Sequence, residues 1–377
     1  MKRIQESDLY PLKFKEVLRT YSFGGQKIYK FKTNNKLPRE QIAETWEVCD
    51  HETDISRVKN GPWAGKSIRG LIWVLREKLL GERVYNNTGN YFPLLLKLLD
   101  AERTLGLQIH PDDDFVQKNN LDQMGKAELY YIIDCDQDSY VHWGVKNQVT
   151  IKEMIQAITK GEGIELTKKV PVNPGDVIYV PAGWIHAIGP GILMIELQQN
   201  SDITIGQKRV SKSMGSEVYT LYQGQKTVDM FKEQMKIEQV PEEEIKIDSL
   251  CIKQETGIDQ EYLFASKHFA VEKLLIKEKS LFSSDRNKFF MYTVIAGKGK
   301  LKYDNGQEKI NKGETIFIPA GLGNYQIIPE KELSIIKSYV PDLEVDIINP
   351  LKERGFSDEK IKQLGGFSSY NDILNLL

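Results

Sequence analysis

Two histidines, a glutamate and a glutamine carry the strongest chemical signal in this sequence. His110 lies in LQIHPDD, two residues after Gln108. In an extended strand, positions i and i+2 project from one face, so both side chains enter the same interior. Glu128 opens a strand in GKAELYYIIDC, with Lys126 on its own face, and His186 follows a Pro-Ala-Gly corner in PAGWIHAIG. Two imidazoles, a carboxylate and an amide oxygen form a borderline nitrogen–oxygen set. It suits zinc and leaves a position for water or a substrate oxygen, as a catalytic site requires. Of the five histidines, the other three (His51, His142 and His268) have no spaced partner and read as satisfied core or surface residues.

An internal repeat supports this selection. GDVIYVPAGWIHAI, Gly175 to Ile188, recurs as GETIFIPAGLGNYQI from Gly313. Each copy starts at a turn glycine followed by an acidic residue and runs a strand into Pro-Ala-Gly. In the second copy Asn324 replaces His186, and nothing like LQIH precedes it. A histidine serving the corner itself would recur with the corner, so the shared part is scaffold and the unshared part is a candidate site.

The elements that position these residues are mostly strands. TWEVCD, LGLQIH, LYYIIDC, GDVIYVPAG and ILMIELQQ are short and rich in β-branched or aromatic residues, with Gly, Pro, Asn and Asp between them. IRGLIWVLREKLL, Ile68 to Leu80, predicts a helix stopped by Gly81. Phe92 to Leu99 suits a helix by its leucines and a buried strand by its length. Two phosphate-like motifs fail. GPWAGKS lacks the leading glycine (Asn60 stands there) and a preceding hydrophobic strand. GKGK, Gly297 to Lys300, reads as a hairpin turn.

The net charge of −2 gives no bulk attraction to nucleic acid or acidic membranes. No apolar run reaches the roughly 20 residues of a membrane span, and MKRIQESDLYPLKF lacks a signal-peptide core. Cys49, Cys135 and Cys251 show no ligand spacing and read as buried thiols in a reducing compartment, which places the protein in the cytoplasm. No obligate protein partner is evident.

The blocks ETWEVCDH, FPLLLKLLDAERTLGLQIHPDD, GKAELYYIIDC and GDVIYVPAGWIHAIGPGILMIELQQNSD resemble, in order, the signature blocks of the type I mannose-6-phosphate isomerases. The resemblance implies a mainly β fold of tandem cupin (jelly-roll) domains, and a strand at Phe92 to Leu99. With the repeat, it divides the chain into a metal-binding catalytic domain with helical excursions at 1–223 and a linker at 224–260. A second, metal-free cupin domain at 261–340 and a helical tail at 341–377, packed on that domain, complete it. In the tail Ser357 can cap DEKIKQL, and Tyr370 to Leu377 could form a last short helical turn.

Carried over by position, the family's zinc ligands fall on Gln108, His110, Glu128 and His186, with one zinc per chain. Its substrate-facing lysine falls on Lys126, and its acidic residues on Glu196 and Asp202. The implied reaction interconverts mannose 6-phosphate and fructose 6-phosphate by moving a proton between C2 and C1 of the open-chain sugar through a cis-enediol. Zinc and Lys126 would stabilise the oxyanion, and Glu196 or Asp202 would take part in proton transfer.

The chain departs from the family at two points. Phe23 replaces a tryptophan, and SDITIGQKRV places Gly206 where the family has an arginine. Arg209, from the cluster Lys208-Arg209-Lys212, is expected to supply the missing charge. The alternative is a catalytically weak or inactive isomerase-like cupin that binds metal and sugar phosphate. A metal-dependent oxygenase is a third reading, and the glutamine ligand argues against it.

Overall fold

The computed structural model describes residues 9–32, 37–38, 41–52, 54–206, 218–220, 225–253, 257–367 and 370–377. Two six-stranded sheets form the first β domain. The strands of one are β1 (Val17–Arg19), β2 (Glu44–Val48), β3 (Leu94–Ala101), β5 (Glu128–Cys135), β8 (Val177–Val180) and β10 (Ile192–Gln199), in the order β8-β5-β10-β3-β2-β1. Those of the other are β4 (Gln108–Ile109), β6 (Tyr140–Val145), β7 (Thr167–Pro171), β9 (His186–Ile188), β11 (Thr204–Gly206) and β12 (Val218–Thr220), in the order β7-β6-β9-β4-β11-β12.

Cross-strand register decides which side chains share a face, because directly opposite residues project to the same side. Trp46, Lys97, Glu196 and Tyr130 form one row across β2, β3, β10 and β5. Leu95, Gln198 and Glu128 form the next row on that face. In the opposing sheet Trp143, His186, Gln108 and Gly206 stand in one row. The polar residues of these three rows meet between the sheets and line a lumen. On the outer face of the second sheet, Ile109, Ala187 and Ile205 pack with Met154 and Ile158 of the helix Ile151–Lys160. A capping box between Thr150 and Glu153 starts that helix.

All eight residues of β3 are buried. Strand length therefore outweighs leucine's helix propensity there, because both faces of the segment are covered. The stretch Ile68 to Leu80 is not one helix. It runs from Ile68 to Leu75, breaks at Arg76 (φ 49°) and resumes over Glu77–Leu80. Gly81 then has φ 95°, and a Cβ there would lie 2.1 Å from the backbone nitrogen of Lys288. That glycine serves both a turn and the close approach of the second domain.

The second domain is an eight-stranded sheet whose central path begins with Leu250–Lys253 paired to Ile258–Ala265. It thus starts inside the segment expected to be linker. The helix Gln225–Gln234, also in that segment, places Met230 and Phe231 in the core beneath the first domain's second sheet. GKGK is not a turn but part of a continuous strand, Phe290–Tyr303, that bends through two register shifts. Gly297 permits the bend: its φ is +80°, and a Cβ would meet the Glu332 carbonyl oxygen at 2.0 Å.

The two domains share apolar contacts, with Phe289 stacked on Phe317 (5.0 Å between centroids) and tilted against Phe92 (5.1 Å). The tail bridges both. Ile361, Leu364 and Ile373 join the second core, while Phe367 and Tyr370 pack on Trp184 of the first domain at 4.8 and 5.3 Å. Ser357 precedes the helix Asp358–Gln363 but makes no side-chain cap, and the last residues form turns. Of the cysteines, Cys49 is buried, Cys135 half-buried and Cys251 exposed, so the expectation of three buried thiols holds for Cys49 alone. Among the described residues no helix is long and apolar enough to cross a membrane.

Candidate metal centre

His110, Glu128 and His186 meet in the lumen, all fully buried, with one donor atom from each lying within 4.8 Å of the others. His110 Nδ1 is 2.8 Å from the Ile203 carbonyl oxygen, and His186 Nδ1 is 2.9 Å from that of Trp184. A carbonyl can only accept, so each Nδ1 carries the proton and each Nε2 presents a lone pair. Those lone pairs face the same carboxylate: His110 Nε2 is 3.2 Å from Glu128 Oε1, and His186 Nε2 is 3.4 Å from Oε2. Burial, then the nearby Lys126 ammonium, depresses the His110 pKa to about 3, so the ring stays neutral.

Neutral imidazole lone pairs aimed at a carboxylate repel unless a cation lies among them. Lys126 answers on one side, with Nζ 2.8 Å from Glu128 Oε1 and 3.3 Å from His110 Nε2. On the other side His186 Nε2 has no hydrogen-bond partner among the described residues. Two donors on a tetrahedral ion with bonds of about 2.1 Å stand about 3.4 Å apart. The separations found here are of that size, so these residues fit a bound metal. Burial alone would raise the Glu128 pKa, but the Lys126 ammonium 2.8 Å away outweighs it and holds the carboxyl well below its usual range.

The other expected site residues divide into three groups. Gln108 lies directly opposite His186 in the ladder and so on the same face. Glu196 stands in the lumen row beside Tyr130, 3.3 Å from Lys97 Nζ, and burial lifts its carboxyl to about 8 despite that lysine. Asp202 is half-buried at the rim, its amide donating to Gln123 Oε1 at 2.9 Å. Arg209 lies outside the described residues, as do Lys208 and Lys212. Gly206 pairs with Gln108, so the site gains no side chain from that position.

His142 lies on the opposite face of β6, with Nδ1 2.7 Å from Thr167 Oγ1. His268 is half-buried, with Nε2 4.0 Å from Asp113. His51 departs from its expectation: it is buried in a T-shaped contact with Trp46, and neither ring nitrogen has a hydrogen-bond partner among the described residues.

Sequence reasoning missed Lys97 and Tyr130. Lys97 was legible as the one charge inside the apolar run FPLLLKLL, since a lysine buried mid-strand needs a partner. Tyr130 follows Glu128 by two residues and so shares its face; its hydroxyl donates to Glu128 Oε2 at 2.5 Å. Such a contact orients a ligating carboxylate. Tyr130→Phe should therefore weaken metal binding by about 10–100-fold. Chelator competition reads this directly, and an unchanged affinity would show that the hydroxyl has no hold on the ligand.

Comparisons with known proteins point to one family. A model of the type I phosphomannose isomerase catalytic domain matches residues 12–163, which carry Gln108, His110 and Glu128. A mannose-6-phosphate isomerase cupin-domain model matches residues 259–340. The chain is 31% identical over 325 residues to a probable mannose-6-phosphate isomerase, GmuF, of Bacillus subtilis, covering 84% of this chain and 96% of that one. It is 30% identical to the mannose-6-phosphate isomerase ManA of the same organism, over 84% and 95% of the two chains. The crystal structure of a mannose 6-phosphate isomerase from Bacillus subtilis superposes with a TM-score of 0.74 at 28% identity, covering 87% of this chain and 99% of the other. The structure of a putative mannosephosphate isomerase from Archaeoglobus fulgidus, at 19% identity and TM-score 0.70 over 88% and 98% of the two chains, shares the fold. With both domain models matched and similarity extending over nearly the whole length of its relatives, the chain belongs to the type I phosphomannose isomerase family.

Proposed function

We propose that the chain is a zinc-dependent aldose–ketose isomerase that interconverts mannose 6-phosphate and fructose 6-phosphate through a cis-enediol. The observation that carries this is the convergence of two Nε2 lone pairs and the Glu128 carboxylate at one-ion spacing, on a lumen floor that also holds Lys97 and Glu196. Gln108, His110, Glu128 and His186 would hold one zinc, and a zinc there supplies Lewis-acid polarisation of substrate oxygens. Lys126 holds positive charge beside the same carboxylate and would balance an oxyanion. Glu196, whose buried carboxyl is lifted to about 8, would take and return the proton. A sugar phosphate is then its partner, and the cytoplasm its compartment.

A metal assay and a coupled isomerisation assay on one sample test this. We expect about one zinc per chain, with turnover lost on chelation and regained when zinc is restored. Gly206 favours one second reading, because that lumen position contributes no charge. A zinc-replete protein that binds mannose 6-phosphate without turning it over would establish that reading in place of the first.

A further inference from the structure

We propose that Arg19 binds the phosphate of the substrate at the rim of the lumen; the proposal rests on the sugar-phosphate reading above. Arg19 ends β1 directly opposite Glu44, and Glu44 is opposite Leu99 on β3. Leu99 and Lys97 share a strand face, so Arg19 belongs to the lumen side. Its guanidinium carbon lies 4.3 Å over the Trp46 ring, which also has Lys97 Nζ at 5.5 Å. Stacking on a buried indole and an ion pair with Asp54 hold the fork in place.

That arrangement leaves donor capacity unused. The side chain is 14% exposed, and its buried Nε has no hydrogen-bond partner among the described residues. The lumen lysines are committed elsewhere, Lys126 to Glu128 and Lys97 to Glu196. Burial would lower the Arg19 pKa, but the hydrogen bond to Asp54 and the fields of Tyr21, Asp54 and Asp202 raise it, so the charge is secure.

The same end of the lumen collects other buried polar atoms without hydrogen bonds among the described residues: both His51 nitrogens, Asp50 Oδ2 and Asn200 Oδ1. The Asn200 amide donates to the Asp50 carbonyl at 2.9 Å, which ties the two segments together beside Trp46. Buried polar groups are ordinarily paired, and a concentration of unpaired ones marks a place that receives polar atoms from a ligand. A phosphate ester offers acceptor oxygens to the guanidinium edge, and a sugar offers hydroxyls to the neighbours.

The test uses zinc-loaded full-length protein, with Arg19→Ala and Asp54→Asn beside the parent. Calorimetry with inorganic phosphate and fructose 6-phosphate gives binding independently of turnover, and steady-state kinetics give KM and kcat. Loss of a charge-assisted contact should weaken both ligands and raise KM for mannose 6-phosphate by about 10–100-fold in Arg19→Ala, with kcat changed far less. Asp54→Asn keeps the guanidinium stacked on Trp46 and should weaken phosphate binding far less than Arg19→Ala does. Phosphate affinity and KM unchanged in Arg19→Ala would overturn the assignment. So would equal loss of binding and Tm in both variants, because that pattern belongs to a structural ion pair. A parent that binds phosphate through Arg19 yet never isomerises the sugar would support the subsite and sink the isomerase reading. A parent that turns over with Arg19→Ala at parental KM would sink the subsite alone.

Discussion

Replacing His186 with Ala should strip the metal and reduce isomerisation at least about 10³-fold, with the chain still folded. The Nε2 of His186 is one of three donors at one-ion spacing and, among the described residues, has no hydrogen bond that would give it another task. Its Nδ1 is tied to the carbonyl of Trp184, two residues earlier in the chain, which aims the ring. The fold survives because β9 is held by its ladders to β6 and β4, which use backbone groups. Removing one buried ring costs about 2–4 kcal/mol against a stability of about 5–15 kcal/mol.

His142→Ala is the matched comparison. It removes a buried imidazole from the same sheet, but from the face bonded to Thr167. It should lose a comparable amount of Tm and keep its metal. Metal content per chain, measured on both variants, decides the matter. Full retention in His186→Ala would sink the ligand assignment.

The site was legible where local spacing set it. Gln108 and His110, and Lys126 and Glu128, are pairs two residues apart, and a strand turns that spacing into a shared face whatever the rest of the chain does. The Pro-Ala-Gly repeat exposed His186 because the second copy keeps the corner and drops the ring. What escaped were relations set by cross-strand register. Nothing local to Arg19 tells that its strand lies two strands from Lys97, or that Trp46 stands between them. Lys97 and Glu196 are opposite each other only because β3 and β10 pair over eight residues.

The fold errors have a similar cause. Ile68 to Leu80 has helical periodicity throughout, and the break at Arg76 comes where the chain turns toward the second domain. GKGK has turn composition, yet its glycines serve a bulge in a long strand packed against another. The tail has its own helix signal, but its aromatic residues are claimed by Trp184 of the other domain.

Glu196→Gln should lower kcat by about 10²–10⁴-fold and leave metal content unchanged. A proton carrier between C1 and C2 works best with a pKa near the operating pH. Glu196 is buried, which drives its carboxyl up to about 8; Lys97 pulls it back and Glu128 pushes it up again. A bound dication would lower it from there toward neutrality. The sign follows: a general base must be deprotonated, so parental kcat should rise with pH along an acid limb whose midpoint lies below about 8. Glu196→Gln removes the titrating group and should flatten that limb. Asp202 is the competing carboxylate, but it is half-buried at the rim, tied through its amide to Gln123 and within the field of Arg19. Asp202→Asn should therefore shift KM and preserve the acid limb. If Asp202→Asn flattens the limb while Glu196→Gln keeps it, the base is Asp202, and the Lys97–Glu196 pair only shapes the lumen floor.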